Sequence, residues 1–169
     1  YIAMERLYGR DLQQALAAGW RPTVEQAVQL VRRVTEALAF AHARGVVHCD
    51  IKPANIFLQR RDRPKVLDFG IARIVHGAAL PALDGAVAGS PRYRSPEQLT
   101  GAAVDARSDL FSLGVVMYEL LAGRRAFEGD SLAEINAAVL ERDPTPVHQL
   151  APQVPAEVSA IVSRLMARS

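Results

Sequence analysis

Cysteine is nearly absent. Cys49 is the only one in 169 residues, so neither an internal disulfide nor a thiolate metal cluster can form, which points to a reducing compartment and away from a small secreted scaffold. Long apolar runs are missing too: the most hydrophobic stretch, 110–122, is short and carries Ser112, Tyr118 and Glu119, so it reads as a buried helix rather than a membrane span. No charge of one sign dominates, since 20 Lys+Arg face 18 Asp+Glu for a formal +2. The calculated pI near 9.0 therefore reflects a slight excess, and a nucleic-acid-binding surface is not indicated. No secretory pattern is visible where Tyr1-Ile2-Ala3-Met4 passes into Glu5-Arg6, and no internal repeat or low-complexity tract occurs. What remains is half hydrophobic and 22% charged, of a size to bury one core of its own, with the cytoplasm as the expected location.

Caps, glycines and prolines divide the chain readily. Residues 1–4 read as the end of a strand, and Asp11 can cap a brief helix that stops at Gly19. Thr23 and Gln26 form a capping-box pattern after Pro22, and Ala27, Leu30, Val31, Val34, Leu38 and Ala41 hold one apolar face as far as Gly45. Residues 46–48 and 55–59 then read as strands, 60–64 as a charged turn and 65–68 as a third strand, so a β-hairpin is predicted. Residues 70–91 carry small side chains, two prolines and no sustained period, the marks of a long loop. Leu110, Leu113, Val116, Met117, Leu120 and Leu121 recur at helical spacing up to Gly123, apolar almost all round and hence central. Ser131-x-x-Glu134 predicts a second capping box and a helix to about Glu141. Four prolines at 144, 146, 152 and 155 enforce a loop, and Val158, Ile161, Val162, Leu165 and Met166 face one way in a last helix.

Three residues stand out for chemistry. If 56–59 pairs antiparallel with 65–67, the start of one strand lies beside the end of the other, so Asn55 and Asp68 converge, with Asp50 just upstream at the same end. Two hard oxygen ligands and a neighbouring carboxylate suit Mg²⁺ that keeps waters and takes its remaining ligands from phosphate. The other carboxylate is placed to orient a hydroxyl nucleophile. Turn or capping roles would also explain Asp and Asn at such places, but they do not account for the motifs around them.

His48-Cys49-Asp50-Ile51-Lys52-Pro53-Ala54-Asn55 resembles the catalytic loop of the eukaryotic-type protein kinases, and Asp68-Phe69-Gly70 resembles their metal-binding triplet. Gly89-Ser90-Pro91-Arg92-Tyr93-Arg94-Ser95-Pro96-Glu97 is similar to the end of an activation segment, and Ser108-Asp109-Leu110-Phe111-Ser112-Leu113-Gly114 to the start of the buried helix beneath the active site. Four motifs in the family's order span most of the chain. The resemblance implies that Asp50 orients the acceptor hydroxyl, Lys52 neutralises charge on the transferring phosphoryl group, and Asn55 and Asp68 hold Mg²⁺. Met4-Glu5-Arg6-Leu7 resembles the hinge, with Glu5 and Leu7 at the adenine edge of ATP, Asp11 near the ribose, and Phe57 and Leu12 beneath the purine. It further implies that Ser90 and Glu97 belong to the substrate and activation segment, Ser90 as a substrate-site hydroxyl, with structural support from His48, Phe69 and Asp109, the last accepting hydrogen bonds from the catalytic-loop backbone. Lys52, two positions after Asp50, is the serine/threonine-type pattern, and the wording is most like the bacterial members.

Departures from the family pattern matter as well. Cys49 stands where the usual Arg pairs with an activation-loop phosphate, and residues 71–88 contain no Ser, Thr or Tyr. The two absences agree, so control by phosphorylation of that segment is not expected. No Gly-rich loop, strand lysine or partner glutamate precedes Tyr1, and Glu97 lacks the buried Arg that pairs with it in relatives, so the expectation is a piece of a longer protein without its β-rich lobe. Metal–thiolate chemistry at His48-Cys49-Asp50 fails for want of a second cysteine. His42, His76 and His148 show no partner at helical or hairpin spacing and read as solvated or helix-end residues. Arg60 to Lys65 reads as a solvated turn.

The reading is therefore an α+β, mainly α fold: a kinase-like C-terminal lobe with short β-hairpins. Its parts are a hinge at 4–9, a catalytic loop at 48–55, an activation segment at 68–97 and a helical lobe at 105–169. The expected activity is transfer of the ATP γ-phosphoryl to protein Ser or Thr with Mg²⁺, weak in this segment alone. The competing reading is a pseudokinase or scaffold module; a small-molecule phosphotransferase is disfavoured by residues 90–97, which look built to hold a peptide. Expected partners are ATP and a protein substrate, with no nucleic acid and no membrane contact by this segment, while membrane anchorage of a parent protein stays open.

Overall fold

Side-chain caps set most of the helix starts in the computed structural model, which describes residues 5–59, 63–69, 91–168 and the backbone of 73–74. Asp11 Oδ1 accepts the Gln14 N–H at 2.7 Å and opens α1 (Leu12–Ala17) straight from strand β1 (Gly9–Asp11). Thr23 and Gln26 exchange both bonds of the capping box, at 3.2 and 2.9 Å, and α2 (Val24–His42) buries Ala27, Leu30, Val31, Val34 and Leu38. It ends at His42, and Gly45 at φ +71° lets the chain turn away. Further along come α3 (Pro96–Thr100), α4 (Ala106–Ala122) and α5 (Leu132–Glu141). The box expected on α5 is half made: Ser131 Oγ accepts the Glu134 N–H at 3.2 Å, but the Glu134 carboxylate reaches past it to the Asp130 N–H at 2.8 Å. A short α6 (Val147–Leu150) sits inside the proline-rich stretch read as loop, and α7 (Ala156–Leu165) follows.

The strands are few and short. β3 (Ile56–Gln59) lies between β1 and β4 (Pro64–Val66) in an antiparallel sheet, with Asp11 opposite Phe57 and Ile56 opposite Val66. The third strand was expected to reach Asp68 but gives out after Val66, because Asp68 takes φ +63°, a left-handed conformation that a ladder cannot carry. β2 (Val46–Val47) pairs with β5 (Arg73–Ile74), inside the stretch read as loop. Two residues facing two leave no alternation to detect.

The core is organised around α4, whose Phe111, Leu113, Val115, Val116, Met117 and Leu120 are all buried. It packs against α2, α6 and α7. Val162 and Met166 are buried beside it, whereas Ile161, expected on the same face, is 55% exposed. The architecture is mainly α with short β-hairpins, as the sequence indicates. No described helix is long and apolar enough to cross a membrane.

Candidate active site

The β3–β4 register carries the Asn55 carbonyl onto the Leu67 N–H at 2.8 Å, which sets Asn55 beside Leu67 and one step from Asp68. A 3-10 turn, Pro53–Asn55, leads into β3 and buries Asn55. From there Asn55 Nδ2 donates to the Asp50 carbonyl at 2.8 Å and to Asp50 Oδ2 at 3.0 Å. Lys52 Nζ donates to the same Oδ2 at 2.7 Å. Asp50, Lys52 and Asn55 thus form one hydrogen-bonded group, half-buried at its charged end. Both amide hydrogens of Asn55 are committed to Asp50, so its carbonyl oxygen is the atom left to offer a hard cation. With the carboxylate of the exposed Asp68, that donor set fits Mg²⁺.

The loop is held from beneath by Asp109, which is 1% exposed near the start of α4. Its Oδ2 accepts the His48 N–H and its Oδ1 the Cys49 N–H, both at 2.8 Å. His42 Nε2 lies 2.7 Å from the same Oδ2. Its partner is 67 positions away in the chain, so the reading of His42 as a solvated helix end is corrected, and no local spacing could have shown the pair. His148 also has a partner, Ser159 Oγ at 3.0 Å from Nδ1, while His76 lies outside the described residues.

His48 is fully enclosed and fixed at both ring nitrogens. Nδ1 faces the Asp50 N–H at 3.2 Å and Nε2 faces the Leu67 carbonyl at 2.9 Å. An N–H can only donate and a carbonyl only accept, so the ring carries its hydrogen on Nε2. In this way His48 ties the loop to the strand end that presents Asp68, and its ring meets Phe69 at 4.5 Å between centroids. Cys49 adopts φ +65°. Its N–H is held by Asp109, and its carbonyl accepts from Gln98 Nε2 at 2.7 Å. Gln98 Oε1 in turn accepts the Ser95 N–H at 3.0 Å. Gln98 was missed in the sequence, although Ser95-x-x-Gln98 has the spacing of a capping box and could have flagged it.

A model of the protein kinase domain matches residues 1–168. The chain belongs to the protein kinase domain family. It is 37% identical to a serine/threonine-protein kinase, PknB, of Mycobacterium leprae and 41% identical to one, pkn3, of Myxococcus xanthus, each alignment covering all of this chain and 27% and 32% of the relative. Similarity to a probable PknB of Corynebacterium glutamicum is 39%, over 99% of this chain and 27% of the relative. The kinase-domain chain thus spans about a quarter to a third of the length of the curated relatives it matches.

Of the residues expected on the nucleotide side, Asp11 lies opposite Phe57 in the β1–β3 pairing, and Phe57 is half-buried. Asp11 spends Oδ1 on its helix cap. Glu5 is exposed and paired with Lys65, and Leu7 is half-buried. Leu12 was expected under a purine, but it is fully enclosed in the core and offers no surface to a ligand. Met4 and Ser90 lie outside the described residues, as does most of 70–90. Glu97 is not left without a partner: it is half-buried and its Oε1 accepts the Ser108 hydroxyl. The α4 start supplies this second use of a side chain next to Asp109, which sequence spacing alone did not reveal. Near the loop, the Tyr93 hydroxyl donates to Glu119 Oε2 at 2.6 Å. Burial first, and then the Glu119 carboxylate, push the Tyr93 phenol well above its ordinary pKa, with Arg125 and Arg92 pulling weakly the other way.

Proposed function

We propose that this chain forms the catalytic-loop half of a serine/threonine kinase and transfers the γ-phosphoryl group of ATP to a hydroxyl of a protein. The single observation behind this is the pinned carboxylate of Asp50. Lys52 and Asn55 both hold its Oδ2, which leaves Oδ1 to accept the proton of an incoming Ser or Thr hydroxyl. Fixing one oxygen orients the other, and orientation is what such a base contributes. Lys52 sits 2.7 Å from that carboxylate, so its ammonium can share the charge that builds on the phosphoryl oxygens. Asn55 and Asp68 would hold Mg²⁺, which offsets phosphate charge when bound. Glu5, Leu7, Asp11 and Phe57 are proposed to line the nucleotide side, the hinge being 4–9, the activation segment 68–97 and the helical lobe 105–169. Bacterial relatives named as serine/threonine kinases support the choice of acceptor.

The sequence of 1–169 carries no Gly-rich phosphate-covering pattern, so this segment alone is expected to turn over poorly. The test therefore uses the full-length gene product. Asp50→Asn should lower phosphotransfer to Ser peptides by about 10²- to 10⁴-fold while ATP binding persists. Undiminished transfer by the variant would remove Asp50 from the chemistry. Nucleotide binding without any transfer by the parent protein would favour a pseudokinase.

A further inference from the structure

Beside Lys52 runs a groove of about 380 Å³ whose described lining includes Gln13, Arg21, Lys52, Tyr93, Glu119 and Arg125. Its charges are unequal. Among the described lining residues there are three cations and one carboxylate, and that carboxylate already accepts the Tyr93 hydroxyl at 2.6 Å. Lys52 is occupied with Asp50. Arg21 and Arg125 both stand exposed in the lining, and among the described residues neither is paired with a carboxylate. Arg21 is also held in place, because its Nη1 donates to the Leu16 and Trp20 carbonyls at 3.0 and 2.9 Å. A guanidinium fixed in this way loses little freedom when it meets a ligand, and its remaining N–H groups match a carboxylate fork.

Building on the proposed kinase reading, we infer that this groove receives an acidic flank of the acceptor segment, with Glu or Asp side chains of the substrate reaching Arg21 and Arg125. Lys52, which lines the groove, is hydrogen-bonded to Asp50, so a chain lying there stays continuous with a hydroxyl presented to the loop. Among the described lining residues a basic flank would find one carboxylate, Glu119, already bonded to Tyr93 and within electrostatic reach of the cations at 92 and 125 that act on that hydroxyl.

The experiment compares two labelled Ser peptides, identical except for three flanking Glu or three flanking Lys, by fluorescence anisotropy and by phosphotransfer with the full-length gene product. The Glu peptide is expected to bind roughly tenfold tighter at low salt, with the ratio falling as salt rises. Joint Arg21→Glu and Arg125→Glu should abolish or invert the ratio, and the milder Arg21→Gln with Arg125→Gln should bring it near unity with an unchanged circular-dichroism melting curve. Equal binding, or tighter binding of the Lys peptide, overturns the inference, even where both peptides are phosphorylated and the kinase reading survives. Preferential binding of the Glu peptide without transfer to either one upholds the groove's selectivity and sinks the kinase reading instead.

Discussion

Two aspartates of the same site illustrate how burial separates structural support from the chemistry proposed for the loop. Asp109 is enclosed and satisfies two backbone N–H groups and the His42 ring, whereas the Asp50 side chain is 18% exposed and bonds to Lys52 and Asn55. Truncating Asp109 leaves two buried donors without acceptors, at about 1–3 kcal/mol each. Asp109→Ala should therefore lower the unfolding free energy by about 3 kcal/mol or more, read from the urea midpoint. Asp50→Ala should change it by no more than about 1 kcal/mol, because a partly solvated pair contributes little. Similar losses for both variants would contradict this division. Cys49 belongs to the same scale. Its left-handed backbone costs of order 1 kcal/mol or more, and both of its peptide groups are held, by Asp109 and Gln98. The strain persists because the neighbours over-determine it.

Among the elements, caps decide which helices start where, and one of them is pH-sensitive. Asp105 opens α4 by accepting the Arg107 N–H at 2.8 Å, and its side chain also meets the Arg107 guanidinium. That hydrogen-bonded guanidinium is the main reason the Asp105 carboxyl lies below its ordinary pKa; partial burial opposes the shift. A depressed folded-state pKa means the stabilisation is fully present above the unfolded value near 4 and is lost as pH falls through the folded one. Asp105→Ala should cost about 1 kcal/mol at pH 7, as loss of an N-cap does. The gap between variant and parent should close below about pH 4, and a gap independent of pH in urea titrations would show that the carboxylate charge plays no part.

Local rules of this kind were readable in advance. The Thr23–Gln26 box, the Asp11 cap and the apolar run that became α4 needed only spacing. The β3–β4 hairpin, which sets Asn55 beside Leu67, followed from strand patterning alone. Pairings between distant segments were not readable: His42 with Asp109, Gln98 with the Cys49 carbonyl, and β2 with β5 join parts of the chain whose separation no window of residues samples. Glu134 shows a subtler limit, since the sequence marks its cap correctly but not which of two adjacent N–H groups its carboxylate will choose.

At the scale of the whole molecule, α4 links the site to the far side of the fold. Its first turn holds the backbone at His48 and Cys49 through Asp109, and its middle meets α7 at Gly114. A Cβ at Gly114 would lie 2.7 Å from Leu165 Cβ, closer than packed atoms allow, and a tight 3.3 Å from the Leu165 carbonyl carbon, and neither atom is the free end of a flexible chain. Gly123, at φ +67°, has nothing within 4 Å of such a Cβ, so its constraint is purely conformational. Two Gly→Ala variants should therefore separate two causes. Gly123→Ala should cost about 1 kcal/mol, the left-handed penalty, and leave α7 protected in hydrogen exchange. Gly114→Ala should cost about 1–3 kcal/mol by overpacking and speed exchange in α7, because the helix must move away to make room. Since α4 is buried nearly all round, it cannot yield instead. Faster exchange at residues 48–50 rather than in α7 would mean that the strain is released toward the site, and that α4 is the softer partner.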